Sequence, residues 1–313
     1  MSWLNVVIIP CHNEEATIQR VIGDVRQASP DSEIVVVDNA SMDRTAELAK
    51  ALKVSVISCE EKGKGRAIRA ALRRLDADSY TIVDGDSTYD LSRLPEMIRA
   101  VQQGTFMSVG VRRAVEANAF PTFHRFGNRL FTLLLSGLFG RPMKDVLSGL
   151  RVFHSEFVQF SPLSVDGFEV EAFYSLEAAV RRVEVREFDI SYYQRPEGSS
   201  SKLRSFRDGF KILACIFNLF RVYRPLPFFS FFSVLCFLFG LASGYQPVLE
   251  YFQEGYVYAV PRAVLAASFV NLSFLLLGVG MMLASQMQYH LKQIEIMQSQ
   301  KKSASKSIFS KVA

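Results

Sequence analysis

The sequence has few cysteines and histidines, and neither residue type is spaced as a metal site requires. The four cysteines in 313 residues include no C-x-x-C pair, so the pattern favours buried free thiols in a reducing compartment over a disulfide framework. The four histidines show no ligand spacing, and each is expected to be structural. The N-terminus has no basic segment before its first apolar run, so no cleaved signal peptide is expected.

Two common phosphate-binding motifs are also absent. The first predicted strand is followed by Pro10–Glu15, where a dinucleotide-binding fold would have G-x-G-x-x-G. The glycine-rich piece Lys62–Arg66 lacks the spacing of a P-loop. Glycines and lysines that open a helix after a strand nevertheless suit a phosphate, although a solvated turn would have the same composition.

Charge is missing from two long stretches near the C-terminus. Residues 225–249 and 263–289 are 25 and 27 residues without a charge, and about 20 suffice to span a bilayer. Seven Lys/Arg against two acids in 195–224, and five Lys against one acid in 290–313, flank these stretches. This placement of the net charge of +5 favours a membrane surface over nucleic acid. The positive-inside rule predicts an integral membrane protein with both termini cytoplasmic.

The first 110 residues alternate short β-branched runs with helix-period patterns. The predicted strands are Val6–Pro10, Ile34–Asp38, Val54–Ser58, Tyr80–Asp84 and Phe106–Val109. The predicted helices between them are Glu14–Ala28, Asp43–Leu52, Lys64–Leu75 and Leu91–Gln103. Such alternation predicts an α/β fold with a mostly parallel sheet and helices on both faces. Residues 111–165 are expected to be irregular apart from a helical stretch near 125–139, with a helix at 168–182 and a strand at 183–192 following.

The C-terminal third is expected to be helical. In 203–222 large apolar residues recur at three- and four-residue spacing opposite basic ones, which favours a helix lying in the bilayer interface over a core-facing helix. The predicted organisation is a cytoplasmic catalytic domain (1–200), an amphipathic juxtamembrane helix (201–224), a transmembrane hairpin (225–289) and a basic tail (290–313). The glutamine-rich pattern at 286–300 suits either self-association as a homo-oligomer or a solvated tail.

Acidic residues follow three of the predicted strands. Asp84-Gly85-Asp86 comes directly after an apolar strand, Asp38 ends the second strand, and Glu14 follows the first. Strand ends in an open α/β sheet are where ligands bind. An Asp-x-Asp pair there can hold a divalent ion, which commonly bridges protein carboxylates to substrate phosphates. Jointly the three strand ends predict a nucleotide site.

The order and spacing of these segments resemble family 2 glycosyltransferases of the GT-A fold. The resemblance rests on the segments Pro10–Glu14, Val36–Asp43, Lys62–Gly65 and Asp84–Asp86. Lys144–Arg151, which reads K-D-V-L-S-G-L-R, and Arg195–Lys202 narrow it to the polyprenyl-phosphate branch. That branch includes dolichyl-phosphate-mannose synthase and bacterial polyprenyl-phosphate glucosyltransferases. The resemblance covers about residues 5–225. The two-span tail resembles that of the bacterial members, which implies a bacterial inner membrane.

The resemblance implies a role for each matching residue. Pro10, Glu14 and Asp38 would contact the nucleoside, and Lys64 would lie near the donor phosphates. Asp84, with Gly85, would position the nucleotide or metal, and Asp86 would ligate Mg²⁺ or Mn²⁺. Arg112 matches the arginine of the family's G-S-R segment. The acceptor phosphate and the diphosphate would be held by Arg125 or Arg129, then Arg195, Ser201 and Lys202. Asp145 would lie close to the reacting centre.

The implied activity is inverting transfer of one sugar from a nucleotide sugar to membrane polyprenyl phosphate. UDP-glucose is the first candidate donor and GDP-mannose the alternative. A second enzyme class to consider is a processive polysaccharide synthase, which usually carries a Q-x-x-R-W motif. The only tryptophan in this chain is Trp3, so that motif is absent. The alternative to an enzyme is a non-catalytic membrane scaffold that binds a nucleotide sugar. Two departures matter: Thr88 stands where some relatives have a metal-contacting glutamine, and the Arg195–Lys202 spacing is longer than in mannose synthases.

Overall fold

The structure is a computed structural model that describes residues 3–115, 130–133, 136–137, 140, 142–159, 165–167, 169–196 and 205–312. The chain forms two compact units, Met1–Ile216 and Phe217–Ala313. The strands of the first unit are β1 (Asn5–Cys11), β2 (Glu33–Asp38), β3 (Ser55–Ser58), β4 (Ser79–Ile82), β5 (Met107–Ala114), β6 (Arg151–His154) and β7 (Val185–Tyr192). The helices before the unit boundary are α1 (Ile18–Ala28), α2 (Thr45–Ala51), α3 (Lys64–Leu72), α4 (Leu94–Gln102), α5 (Ser155–Gln159) and α6 (Val170–Val180). They are followed by α7 (Ser205–Tyr223), α8 (Pro225–Glu254) and α9 (Val260–Val312).

The described strands form one mixed sheet in the order β3-β2-β1-β4-β6-β5-β7. β1 lies between β2 and β4 and is parallel to both, and β3 is parallel to β2. β6 is antiparallel to its neighbours β4 and β5, whereas β7 runs parallel to β5. Because β1, β2 and β4 are parallel, their C-terminal ends share one edge of the sheet, which is where ligands bind in such folds.

Apolar layers cover both faces of the sheet, as the alternating pattern predicts. Successive side chains of a strand point to opposite faces, so β1 gives Val7 and Ile9 to one layer and Val6 and Ile8 to the other. Helices α1 and α4 pack on the first layer, and α3 packs on the second. Burying each of these side chains stabilises the fold by about 1.5–3 kcal/mol. The mostly parallel α/β prediction is therefore confirmed.

The prediction that residues 111–165 are irregular was wrong at both ends of that range. β5 continues to Ala114, and β6 forms at Arg151–His154 in the middle of the sheet. The pattern is obscured because β6 is four residues long and begins with a charged residue, Arg151, which is only 1% exposed. Much of the predicted helical stretch at 125–139 lies outside the described residues.

The second unit contains two long apolar helices that could cross a membrane, over Pro225–Glu254 and Val260–Gln293. They pack closely at Gly240, where an added Cβ would lie 2.8 Å from Val270 Cγ2. The Ser233 hydroxyl donates a hydrogen bond to the Ser273 carbonyl at 2.8 Å. Small residues and interhelical hydrogen bonds are the usual means by which membrane helices associate.

The turn between these helices is fixed by local bonds. Gly255 ends α8 with a left-handed φ of 68°, a conformation that glycine adopts without a Cβ penalty. The Glu250 carboxylate accepts the backbone N–H groups of Tyr258 and Ala259 at 2.8 and 2.9 Å. These bonds pair two backbone donors in the turn that leads into α9.

Candidate active site

Three acidic strand ends meet at the edge of the sheet, as the sequence predicts. Pro10 pairs with Val37 and Cys11 with Asp38 across β1 and β2, so Asp38 lies beside the end of the first strand. β4 follows on the other side of β1, and the chain leaves it toward Asp84. The parallel arrangement, which sequence alternation predicts, collects these residues from positions far apart in the chain.

Strained backbone follows each of the three strand ends. Asn13, Ala40 and Ser87 have φ values of 54°, 56° and 56°, which residues with a Cβ adopt rarely and which tend to cluster at functional sites. The first two loops also interlock, since the Asn13 side-chain oxygen accepts the Met42 N–H at 2.7 Å and the Ser41 hydroxyl accepts the Asn13 N–H at 3.0 Å. The loop geometry is therefore set by the protein's own bonds.

Glu14 and Asp38 are held at this edge by backbone and hydroxyl contacts. The Glu14 N–H donates to the Thr45 hydroxyl at 2.9 Å, and Glu14 is 7% exposed. The Thr17 hydroxyl donates to the Gly85 carbonyl at 2.6 Å, which ties the first helix to the Asp84–Asp86 turn. Asp38 accepts a hydrogen bond at Oδ1 from the backbone of the loop that follows it.

Lys64 is the first residue of α3 and lies between two carboxylates. Its ammonium donates to Asp84 and, at 2.5 Å, to Glu171 Oε1. Burial opposes the charge of the ammonium, but the two carboxylates outweigh it and raise the pKa of Lys64 above its ordinary value. Burial, together with the nearby Asp84, raises the pKa of Glu171, although Lys64 acts in the opposite direction. The lysine therefore stays charged inside a largely buried cluster.

Two glycines permit the close approach of Asp84 and its neighbours. A Cβ added at Gly149 would lie 2.3 Å from Asp84 Oδ2, and one at Gly85 would lie 2.7 Å from Cys11 Sγ. Either distance is shorter than real Cβ contacts allow. Gly149 belongs to the S-G-L-R part of the Lys144–Arg151 segment, so this segment packs directly against the acidic turn.

Asp86 is 4% exposed and is held by a hydroxyl, a backbone N–H and a guanidinium. The Thr88 hydroxyl donates to Asp86 Oδ1 at 2.6 Å. Arg195 Nη2 lies 2.5 Å from Asp86 Oδ2, and Arg195 Nη1 lies 3.8 Å from Glu14 Oε1. Burial and the neighbouring Asp84 raise the pKa of Asp86, while Arg195 and Thr88 act to lower it. Thr88 thus orients the carboxylate.

Arg112 and Asp145 form a further ion pair at the site. Nε and Nη2 of Arg112 bond the two carboxylate oxygens of Asp145 at 2.7 and 2.8 Å, and the Arg112 N–H adds a third bond at 3.2 Å. Asp145 is 4% exposed. Burial opposes the guanidinium charge, yet Asp145 outweighs it and raises the pKa of Arg112. A bidentate pair of this kind fixes the guanidinium in direction as well as position.

Two tyrosines connect this pair to the acidic turn. The Arg112 guanidinium lies over the Tyr192 ring at 5.6 Å, and Tyr192 meets Tyr89 edge-on at 5.2 Å. The Tyr89 hydroxyl accepts the Gly149 N–H at 2.8 Å. Neither tyrosine was singled out from the sequence, because an aromatic residue in a strand or turn is indistinguishable there from ordinary core.

Arg151 is a further residue that sequence reasoning did not assign to the site. Its guanidinium donates to the carbonyls of Ser148 and Val146 at 2.8 and 2.9 Å and to the Ser175 hydroxyl at 2.8 Å. Burial lowers the pKa of Arg151. The arginine therefore organises the loop that carries Asp145. The signal in the sequence for this role was its position at the end of the Lys144–Arg151 segment.

Four predicted residues lie outside the described part of the chain: Arg125, Arg129, Ser201 and Lys202. The other ten lie in the first unit, at the strand-end edge or in the connected Arg112–Asp145 pair. Contacts link Lys64 to Asp84, and Arg195 to both Asp86 and Glu14. Their roles toward a ligand stay predictions.

The donor set suits a divalent cation that a substrate would help to hold. Among the described residues no cluster of three or more His, Cys, Asp or Glu side chains forms a metal cage. Asp84 and Asp86 offer hard carboxylate oxygens, and Mg²⁺ is typically bound by one or two carboxylates together with substrate phosphates. The residues therefore fit a cation whose coordination is completed by a phosphate ligand.

The open α/β sheet with an acidic turn beyond an inner strand has the architecture of GT-A glycosyltransferases. The chain belongs to glycosyl transferase family 2, whose family model matches residues 6–159. It is similar to the glycosyltransferase AglJ of Haloferax volcanii, with 29% identity over 279 residues that cover 88% of this chain and 90% of AglJ. It is also similar to a dolichyl-phosphate hexose transferase of Haloferax volcanii, with 29% identity over 65% of this chain and 88% of that protein.

A solved structure supports the same architecture. Glucosyl-3-phosphoglycerate synthase from Mycobacterium tuberculosis, in complex with Mn²⁺, UDP and glucosyl-3-phosphoglycerate, matches with a TM-score of 0.56. The match covers 70% of this chain and 80% of that one at 18% identity. At this identity the likeness establishes the fold.

Proposed function

We propose that the protein transfers a single sugar from a nucleotide diphosphate sugar to a membrane polyprenyl phosphate. The observation that carries the proposal is the Asp84-Gly85-Asp86 turn at the strand-end edge, with Lys64 and Arg195 paired to its two carboxylates. The name of the dolichyl-phosphate hexose transferase relative supports a polyprenyl-phosphate acceptor. The UDP and Mn²⁺ of the solved neighbour support a nucleotide donor with a divalent cation.

In this proposal the donor binds along the strand-end edge. Pro10, Glu14 and Asp38 would contact the nucleoside, because they border β1 and β2 on the same side. Lys64 would face the diphosphate. Asp84 and Asp86 would hold Mg²⁺ or Mn²⁺, which would supply positive charge to stabilise the departing diphosphate.

The acceptor needs orientation and charge screening more than proton removal. A phosphate monoester is already mostly ionised at pH 7, so its oxygen can attack the anomeric carbon without a base. The bond from that carbon to the donor's β-phosphate oxygen breaks, and the electron pair leaves with the nucleoside diphosphate. Attack opposite the leaving group gives inversion, hence a β-linked product from an α-linked donor. Arg112, held in direction by Asp145, and Arg195 would orient the two phosphate groups.

The membrane assignment rests on α8 and α9. Both are long and apolar enough to cross a bilayer, and large side chains such as Phe231 and Phe274 are 63% and 64% exposed. We place both termini on the cytoplasmic side, because the flanks of 225–289 carry the excess of Lys and Arg. The domain limits at 200, 224 and 289, with α7 as an interface helix and 290–313 as a basic tail, are part of the same proposal.

The test is sugar transfer by the detergent-purified full chain. UDP- and GDP-sugars would be offered with a short polyprenyl phosphate and Mg²⁺ or Mn²⁺, and the lipid product and released nucleoside diphosphate measured. We expect one donor to react, with UDP-glucose first and GDP-mannose second, and Asp86→Asn to reduce the rate about a hundredfold or more. Asp189→Asn, which changes an exposed ion pair with Arg113, is the matched control.

Two results would count against the proposal. Donor binding without release of nucleoside diphosphate would favour a non-catalytic nucleotide-sugar-binding scaffold. An Asp86→Asn variant as active as the wild type would remove the acidic turn from the mechanism.

A further inference from the structure

The Lys64 ammonium is shared by two carboxylates. One ammonium faces the carboxylates of Asp84 and Glu171, which come from positions 20 and 107 residues further along the chain. The three side chains are 10%, 22% and 8% exposed. Burying charges in this way is unfavourable unless each has a partner, so the second carboxylate calls for a role.

The segment that carries Glu171 also fixes the turn before the lysine. A Cβ added at Gly63 would lie 2.2 Å from the Asp166 carbonyl oxygen, and one at Gly65 would lie 2.3 Å from the Val165 carbonyl oxygen. Gly63 has a φ of 145°, where side chains are strained. The Arg66 N–H donates to the Asp166 carbonyl at 3.3 Å. The described parts of 165–171 therefore contact the backbone at the start of α3. Through Glu171 they also bind the Lys64 ammonium.

Asp166 strengthens this attachment through its side chain. Its carboxylate pairs with Arg66 at 2.9 Å and also with Arg69, so two successive turns of α3 are bound to one residue. The attachment places the α3 N-terminus independently of Asp84. The position of the lysine side chain is then decided by the two carboxylates that face it.

We propose that Glu171 is a positioning residue, which shares the charge of Lys64 and holds its ammonium beside the diphosphate so that Asp84 remains available to a divalent cation. The inference rests on the proposed function, because it assigns the donor diphosphate and the cation to this edge. Glu171 acts through Lys64 and does not itself touch the donor.

The physical reason is competition for Asp84. A cation that binds Asp84 must weaken its pair with Lys64, and the ammonium then keeps Glu171 as an anionic partner. Without the Glu171 carboxylate, the largely buried Lys64 ammonium has Asp84 as its one carboxylate partner in this cluster. The ammonium then competes with the cation for Asp84 at full strength. Neutralising Glu171 also makes the edge more positive. Binding of a nucleoside diphosphate alone should therefore be unchanged or tighter, whereas the cation should bind more weakly.

The different effects on nucleotide binding and on cation binding distinguish a positioning role from a merely structural role. A residue that only maintains the fold would weaken both ligands when replaced, and would lower thermal stability in parallel. The expected pattern needs no turnover, so it can be read from binding alone.

The experiment uses the detergent-purified full chain with UDP, GDP and MnCl₂ as probes. Nucleotide affinity is measured by calorimetry without metal and then across a Mn²⁺ titration, for the wild type, Glu171→Gln and Glu96→Gln. Glu96 makes an exposed ion pair with Arg93 on α4, so it controls for the substitution itself. We expect Glu171→Gln to raise the Mn²⁺ concentration at half-saturation about tenfold, within the range of coupling between contacting charged groups, and Glu96→Gln to leave it unchanged.

A double-mutant cycle identifies the route. In a Lys64→Gln background, adding Glu171→Gln should no longer change the Mn²⁺ half-saturation, because the shared charge is gone. Replacing both members of the Lys64–Glu171 pair leaves neither of them as a lone buried charge, so the double variant serves if Glu171→Gln does not fold. A tenfold change that persists in this background would overturn the inference.

Two further outcomes have distinct meanings. An unchanged Mn²⁺ half-saturation in Glu171→Gln, or a parallel loss of metal-free nucleotide affinity, overturns the positioning role and leaves the proposed function intact. A wild-type protein that binds neither UDP nor GDP overturns the proposed function, and the inference with it.

Discussion

Replacing Gly149 by alanine should disable the site while preserving the fold. The three atoms nearest to an added Cβ all belong to the Asp84 carboxylate, at 2.3, 2.8 and 2.9 Å. Ordinary contact begins at 3.4 Å, so the carboxylate must move by about 1 Å, and its pair with Lys64 must move with it. A misplacement of about 1 Å in a catalytic group can reduce a rate about a hundredfold.

The stability cost should be modest, because the group that yields is a side chain with 22% exposure and not the backbone. Overpacking of this kind costs about 1–3 kcal/mol. The assay is the transfer rate and the Mn²⁺ half-saturation of Gly149→Ala, with thermal unfolding measured on the same sample. Gly23→Ala is the matched control: Gly23 lies in α1 with nothing within 4 Å of the added Cβ. A folded Gly149→Ala with wild-type rate and metal dependence would refute the reasoning.

Three further predictions follow from contacts in the two units. Arg112→Lys should lower the transfer rate about tenfold, since one of the charge-assisted bonds to Asp145 is lost, and kcat measured on samples shown to be folded by their unfolding midpoint would check this. Asp86→Asn should raise the unfolding midpoint by a few degrees at pH 7, because the raised pKa means that burial penalises the charged carboxylate. This penalty is present above the raised pKa and vanishes below the ordinary 3.8, so the gain should shrink as pH falls toward 4 in paired melting curves. Gly240→Leu should separate α8 from α9 and lower stability in detergent by about 1–3 kcal/mol, whereas Gly278→Leu, with open space at its Cβ, should not.

Sequence patterns predict the sheet well where apolar runs and helix periods alternate. β1 and β2 form within a residue or two of the predicted limits, because their central residues are fully buried and β-branched. β6 could not be predicted in the same way. Its first residue, Arg151, is charged, and the carbonyls that satisfy its guanidinium belong to the loop just before the strand. Only the folded loop shows why a charge is tolerated there.

The site was predictable to the extent that parallel strands collect their ends. Asp38, Asp84 and the glutamate after β1 needed no knowledge of side-chain packing. Pairing Glu171 with Lys64 did require knowledge of side-chain packing. Glu171 is one glutamate in a helical pattern, and its contact with Lys64 spans 107 residues. Arg195 was predicted to hold a phosphate, and its observed contacts with Asp86 and Glu14 follow from the three-dimensional arrangement alone.

The pairing of charges in this site predicts that nucleotide and metal bind cooperatively. Asp84 pairs with Lys64 and Asp86 with Arg195, so a divalent cation alone would take the carboxylates from two cations of the protein. A diphosphate alone would compete with those carboxylates for the same two cations. When both ligands enter together, the partners exchange and no buried charge is left alone, which avoids the main cost of breaking such pairs. The factor by which Mn²⁺ tightens nucleotide binding must then equal the factor by which nucleotide tightens Mn²⁺ binding. Calorimetric titrations in both orders measure this factor, and a value near one would contradict the exchange of partners.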